Sequence, residues 1–125
     1  MILDTNALSA WADGNPSCRK ALATANLLVI PVVVLGEYDF GIRQSVHRPR
    51  YEAWLATYLP MTEIAILSAE TAATYAGLRL ELKTRGNPIP ANDVWIAALT
   101  LQRNLPLLSN DGHFDVVPGL RRIAF

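Results

Sequence analysis

Apolar residues recur along this chain at two spacings, and the alternation between them predicts a layered α/β architecture. Ile2-Leu3 is a very short apolar entry that gives way at Asp4-Thr5-Asn6. Ala7, Leu8, Ala10 and Trp11 then recur at helical spacing, so strand, turn and helix is the expected order. Residues 27–30 favour a strand, and Pro31, tolerated in a first helical turn, opens a segment carrying Val33, Val34, Glu37, Tyr38 and Gly41. Tyr51, Trp54, Leu55 and Tyr58 fall three and four apart, which predicts an amphipathic helix over residues 50–58 stopped by Pro60. Residues 63–67 read as a strand. Ser68, with Glu70 and Thr71 in the turn that follows, caps a long helix running to about residue 85, and Gly86-Asn87-Pro88 ends it. Ala91–Arg103 is the clearest remaining helix, residues 105–109 the clearest buried strand, Asn110-Asp111-Gly112 a turn, and residues 120–125 an edge strand. No tight hairpin joins any two strands, so the expected sheet is parallel and covered by helices on both faces.

Composition narrows this picture. The 125 residues fit one compact unit, 1–125, with no Pro, Gly or Ser tract dividing them. Hydrophobic residues make up 51% and charged ones 18%, below the roughly 25% of an average soluble domain, so a substantial core is expected and disorder is not. The longest apolar run, residues 27–36, is about half the roughly 20 residues a membrane span needs. No basic segment followed by a long apolar stretch opens the chain, so no membrane association and a cytoplasmic location are expected. Cys18 is the sole cysteine; it is read as a packing residue and agrees with a reducing compartment. Eleven basic and eleven acidic side chains leave a formal net charge of zero, so a polyanion must be bound by local patches. Arg43, His47, Arg48 and Arg50 form one candidate; Arg79, Lys83 and Arg85 form another that reads better as a solvated helix face.

The candidate chemistry lies in four acids. Open parallel sheets bind ligands outside the carboxyl ends of their strands. Asp4 directly follows the first strand and Asp111 follows the strand at 105–109 by two residues, so both are expected on one rim. Asp93 shares a helix face with Ile96, Ala97 and Thr100, and Glu37 shares one with Val33, Val34 and Gly41, so both point toward the core. Carboxylates about 5 Å apart repel by roughly 3 kcal/mol at an effective dielectric near 20. A cation resolves that conflict, and oxygen ligands without clustered His or Cys favour Mg2+ or Mn2+. Such a site lowers the pKa of a bound water and stabilises charge developing on a phosphodiester, which points to hydrolysis of a nucleic-acid backbone. Each acid also has a plainer reading: Asp4 as an Asx turn, Asp93 as a partner of its helix dipole, Asp111 as a turn residue, Glu37 as a solvent-facing acid if the helix phase shifts by one. Asp115 is a candidate supporting residue, while Asp13, Asp39 and His113 read as surface positions. Trp11, Trp54 and Trp95 read as core before base-stacking platforms. The sequence holds no glycine-rich phosphate loop, no zinc-ligand pair and no nucleophilic triad.

These residues resemble a PIN-domain ribonuclease of the VapC toxin type. The resemblance rests on Leu3-Asp4-Thr5-Asn6, on Val34-Leu35-Gly36-Glu37, on the block from Ile89 to Ala98 around Asp93, and on Leu108-Ser109-Asn110-Asp111-Gly112-His113-Phe114, followed by Val117-Pro118-Gly119-Leu120. It implies a three-layer α/β/α sandwich with a central parallel sheet. It further implies Mg2+ or Mn2+ held by Asp4, Glu37, Asp93 and Asp111, and endonucleolytic cleavage of an RNA substrate by metal-activated water. Asn6 and Ser109 are carried over as supports of the site; the family often has Thr where Ser109 stands, and either hydroxyl suffices. A homodimer and a cognate antitoxin inserted into the active-site groove are implied as well. Arg43, Arg48 and Arg50 are candidates for phosphate contact. Two rival readings stand beside this one. Another acidic-cluster Mg2+ phosphohydrolase or a phosphoacceptor domain normally needs a dedicated Lys, and none stands near Asp4 or Asp111. A non-catalytic RNA- or protein-binding module of the same fold needs nothing the sequence lacks.

Overall fold

Each strand is only two or three residues long, so burial holds the sheet as much as its hydrogen-bond ladder does. In the computed structural model, which describes residues 1–125, β1 (Ile2–Leu3) lies at the centre. Strands β2 (Val29–Pro31) and β3 (Glu63–Ala65) extend the sheet on one side, β4 (Leu107–Leu108) and β5 (Arg122–Ile123) on the other. The order is β3-β2-β1-β4-β5 and every pairing is parallel. Successive side chains on a strand point to opposite faces. Ile2 and Leu107 accordingly enter one buried cluster with Leu8, Val34, Tyr38, Leu78, Leu82, Val94, Ile96 and Phe114, while Leu3 and Leu108 enter a second with Met1, Ala7, Cys18 and Leu22. These strand residues are fully buried, each contributing on the order of 1.5–3 kcal/mol.

Six helices cover the two faces: α1 (Thr5–Ala12), α2 (Pro16–Leu22), α3 (Val32–Arg43), α4 (Arg48–Tyr58), α5 (Ala69–Thr84) and α6 (Ala91–Arg103), with single 3-10 turns at Leu59–Met61 and Gly112–Val116. The result is the three-layer α/β/α arrangement that the alternating pattern predicts. No helix is long and apolar enough to cross a membrane. Ser68 caps α5 through a reciprocal box with Thr71, and α6 ends on Asn104 in the left-handed region at φ 49°. Several boundaries differ from expectation. Pro31 closes β2 and precedes α3, where an opening helical residue was expected. Helix α4 begins two residues early with Pro49 in its first turn, and β3 stops at Ala65, leaving Ile66 and Leu67 exposed. Strand β4 keeps only Leu107 and Leu108 of 105–109. Helix α2 was not expected at all. Trp11 and Trp54 meet edge to face at 5.0 Å and pack half-buried against the core, whereas Trp95, also half-buried, stacks at 3.8 Å on Tyr75.

Candidate active site

The parallel order brings the carboxyl ends of β1 and β4 side by side, and the segments that leave them carry Asp4 and Asp111. Asp4 is 5% exposed. Its Oδ1 accepts from the Thr5 amide at 2.7 Å and so caps α1, while its Oδ2 accepts from the Asn6 side-chain amide at 2.8 Å and the Ser109 hydroxyl at 2.7 Å. Asn6 also donates to Ser109 Oγ at 3.2 Å and accepts from the Asn110 amide at 3.1 Å. Ser109 in turn accepts from the Asp111 amide at 3.0 Å. One closed network therefore ties the end of β1 to the end of β4. Burial is the main reason the Asp4 carboxyl is pushed up from its ordinary value; its donors work against that shift and the Asp111 charge adds to it.

Asp111 caps the 3-10 turn that follows, accepting from the His113 amide at 2.8 Å. Asp93 stands in the first turn of α6, its side chain 15% exposed. The predicted stripe of Ile96, Ala97 and Thr100 is buried below it. Asp93 is raised too, first by burial and then by the charges of Asp4 and Asp111, with His113 opposing. Glu37 comes from α3, and burial together with the charges of Asp4 and Asp93 raises it. The Thr5 hydroxyl tempers that shift, yet neither Thr5 Oγ1 nor Glu37 Oε1 completes a hydrogen bond, although both atoms are buried. Four acids from four segments thus lie within reach of one another's charge. Three of them also serve local roles as caps or first-turn acids, so the plainer readings and the site coexist.

An orphaned, buried carboxylate oxygen beside three other acids is the feature a divalent cation answers. The donor set, mostly carboxylate oxygens, fits a hard ion. His113 is the surface residue that the sequence suggests, but it also stands beside two of these acids, which the sequence reading does not foresee. Its side chain is 53% exposed, yet Nδ1 lies 3.1 Å from Asp93 Oδ2 and 3.3 Å from Asp111 Oδ2. One atom from each of Asp93, Asp111 and His113 falls within 4.8 Å of the others. A position two residues past Asp111 in the same tight turn was the available signal. Asp115 lies outside the cluster: Arg122 grips it at 2.7 and 2.9 Å and also donates to the Ser109 carbonyl at 3.0 Å, so its link to the site runs through the backbone of Ser109.

None of the three candidate arginines is paired with an acid of the cluster. Arg43 pairs with Asp39 at 3.0 Å, Arg48 pairs with Glu52, and Arg50 lies 5.0 Å over the Tyr51 ring with no carboxylate partner. A cleft of about 220 Å³ opens beside Glu37, lined by residues of α1, α3 and the start of α4.

A family model described as the PIN domain matches residues 1–120. The chain is 31% identical over 124 residues to Ribonuclease VapC2 of Rickettsia felis, covering 95% of this chain and 92% of that protein. It is 28% identical over 120 residues to Ribonuclease VapC5 of Mycobacterium tuberculosis, covering 94% and 87%. In three dimensions it matches a chain in the crystal structure of VapBC2 from Rickettsia felis bound to a promoter DNA fragment, with a TM-score of 0.87, 28% identity, and 98% and 96% of the two chains covered. The family model, the curated relatives and the structural match agree, and the chain belongs to the PIN-domain family, in its VapC-type branch.

Proposed function

We propose that this chain is a divalent-metal-dependent endoribonuclease that acts as the toxin of a toxin–antitoxin pair. The observation that carries the reading is Glu37 Oε1, buried without a hydrogen-bond partner within reach of the Asp4 and Asp93 charges. In this reading Asp4, Glu37, Asp93 and Asp111 hold Mg2+ or Mn2+, and the oxygen-rich donor set supports those two ions. Such an ion supplies Lewis-acid stabilisation to a phosphodiester and an activated water to attack it. Asn6 and Ser109 hold Asp4 in one orientation, and Asp115 acts at a distance by holding Arg122 against the Ser109 carbonyl. Arg43, Arg48 and Arg50 meet the backbone phosphates of bound RNA. Residues 1–125 work as one nuclease unit, as a homodimer, in the cytoplasm. A cognate antitoxin silences it, a partner supported by relatives whose structures are VapBC assemblies.

Purified protein is expected to make internal cuts in RNA when Mg2+ or Mn2+ is present and to stop when chelator is added. Asp93→Asn lowers the rate by more than about a hundredfold. Equal cleavage by that variant, or indifference to chelator, overturns the assignment.

A further inference from the structure

The cleft beside Glu37 holds groups that the metal chemistry does not use. At about 220 Å³ it is smaller than the roughly 300 Å³ at which drug-sized sites begin, so it suits a single ring system. Its polar lining is hydroxyls and carboxylates, and no lysine, arginine or histidine contributes. An anion is therefore disfavoured, whereas a neutral ring rich in N–H donors is matched. Tyr38 is 4% exposed and its hydroxyl has no hydrogen-bond partner. A phenol hydroxyl is a donor as well as an acceptor, and this one is free to donate into the cleft. The Tyr51 hydroxyl donates to Asp13 Oδ1 at 2.7 Å, which fixes that carboxylate in the wall of the cleft and leaves further acceptor capacity on it.

Building on the nuclease reading above, we propose that this cleft is a base-specificity pocket that seats a guanine next to the scissile phosphate. The cleft shares Glu37 with the acid cluster, so a base placed there belongs to a nucleotide flanking the reacting centre. Single-stranded RNA offers its Watson–Crick edges to such pockets. Guanine alone presents two adjacent donors, N1–H and the N2 amino group, that fork onto a carboxylate, with O6 beside them to accept from a hydroxyl such as that of Tyr38. Adenine and cytosine bring one amino group each, and uracil a single ring N–H. Asp13 is thus the selecting residue and Tyr38 the group whose unused donor the base satisfies. Gly41 lines the same cleft, and a Cβ there meets nothing within 4 Å, so a larger side chain at that helical position fills the space without a backbone clash.

The test digests an RNA pool randomised around the cut and sequences the ends. Wild type is expected to favour guanine at one flanking position by at least tenfold, the range one good bidentate base contact gives. Asp13→Asn and Gly41→Leu, checked for folding by thermal melting, are expected to keep cutting with that preference reduced below about threefold. Cutting without a guanine preference, or an unchanged preference in both variants, overturns the pocket and leaves the nuclease reading intact. Should no RNA be cut, the nuclease reading fails and titration of 15N-labelled protein with free nucleosides decides the pocket alone. Guanosine is then expected to shift the Gly41 and Ser45 amides in wild type but not in Gly41→Leu, with little response to adenosine, cytidine or uridine. No guanosine-specific shift overturns it.

Discussion

Two carboxylates of the same cluster, Asp4 and Glu37, live in opposite circumstances. Burial is the largest cause raising both from their ordinary values. Asp4, however, accepts from the Thr5 amide, Asn6 and Ser109, whereas Glu37 Oε1 is buried with no donor. The first is a fixed post between β1 and β4. The second has one oxygen that no group in the chain answers. A shift in the same direction therefore has two meanings, and the difference separates architecture from ligand capacity. Removing either acid is expected to abolish metal-dependent RNA cleavage, the largest effect foreseen here. Stability should split them. Asp4→Asn turns one oxygen into an amide donor facing donors and costs about 1–3 kcal/mol in a denaturant titration. Glu37→Gln removes repulsion from Asp4 and Asp93 and leaves the metal-free protein as stable as wild type or more so. Equal destabilisation by the two would erase the contrast.

Metal and pH sharpen it further. Asp4, Glu37 and Asp93 all have folded pKa values raised above their ordinary 3.8, 4.5 and 3.8. A raised carboxyl stabilises the fold when protonated. That stabilisation is fully present below the ordinary value and is lost as pH rises through the raised one. Above the raised values the metal-free cluster carries its full repulsion, and a divalent cation takes over what the proton did. Mn2+ at a hundredfold excess over its Kd is expected to raise Tm by roughly 5–10 °C at pH 7.5. The gain shrinks as pH falls into the weakly acidic range and is much reduced in Glu37→Gln. A gain independent of pH would place the ion elsewhere.

How much of this could be read from sequence depended on whether the signal was local. Helix α6 matched its predicted bounds because Pro90 and the stripe of Ile96, Ala97 and Thr100 mark it without tertiary help. The positions of Asp4, Asp93 and Asp111 at strand or helix ends, and of Glu37 on a helix face with Val33 and Val34, could be read from the chain because each signal is local. Helix α2 could not, since seven residues with only Cys18 and Leu22 buried carry too little periodicity. Asn15 before Pro16 was the overlooked cue: its side chain accepts from the Cys18 amide at 2.9 Å and caps the helix. His113 and the Asp13–Tyr51 contact escaped for another reason. The Asp93 partner of His113 and the Asp13 partner of Tyr51 lie 20 and 38 residues away, and the packing of separate elements brings them together. Strand β3 ends at Ala65 because its partner β2 turns into α3 after Pro31, while Pro106 and Ser109 flank β4 with one backbone bond each, from the Ile2 amide at 2.8 Å and to the Ile123 carbonyl at 3.0 Å.

The smallest expected effect concerns the arginines, where the same contrast between answered and unanswered charge applies. Arg43 and Arg48 each already hold a carboxylate four residues away, Asp39 and Glu52, and a phosphate must compete with it. Arg50 has only the Tyr51 ring beneath it, a contact that leaves its N–H donors open. Tyr51 also reaches the cleft, so Arg50 stands where the strand entering it would pass. Each phosphate contact to a single strand contributes about −0.7 to the slope of log K against log salt concentration. Arg50→Ala is expected to weaken RNA binding a few-fold and to flatten that slope by about 0.7, with Arg43→Ala and Arg48→Ala each changing it by less than about half as much. Binding is measured in the cleavage-silent Asp93→Asn background so that turnover does not obscure it. Equal losses at all three positions would mean that the surface ion pairs open freely for RNA, as their marginal stability of about 0–1 kcal/mol allows, and that existing partners do not rank these side chains.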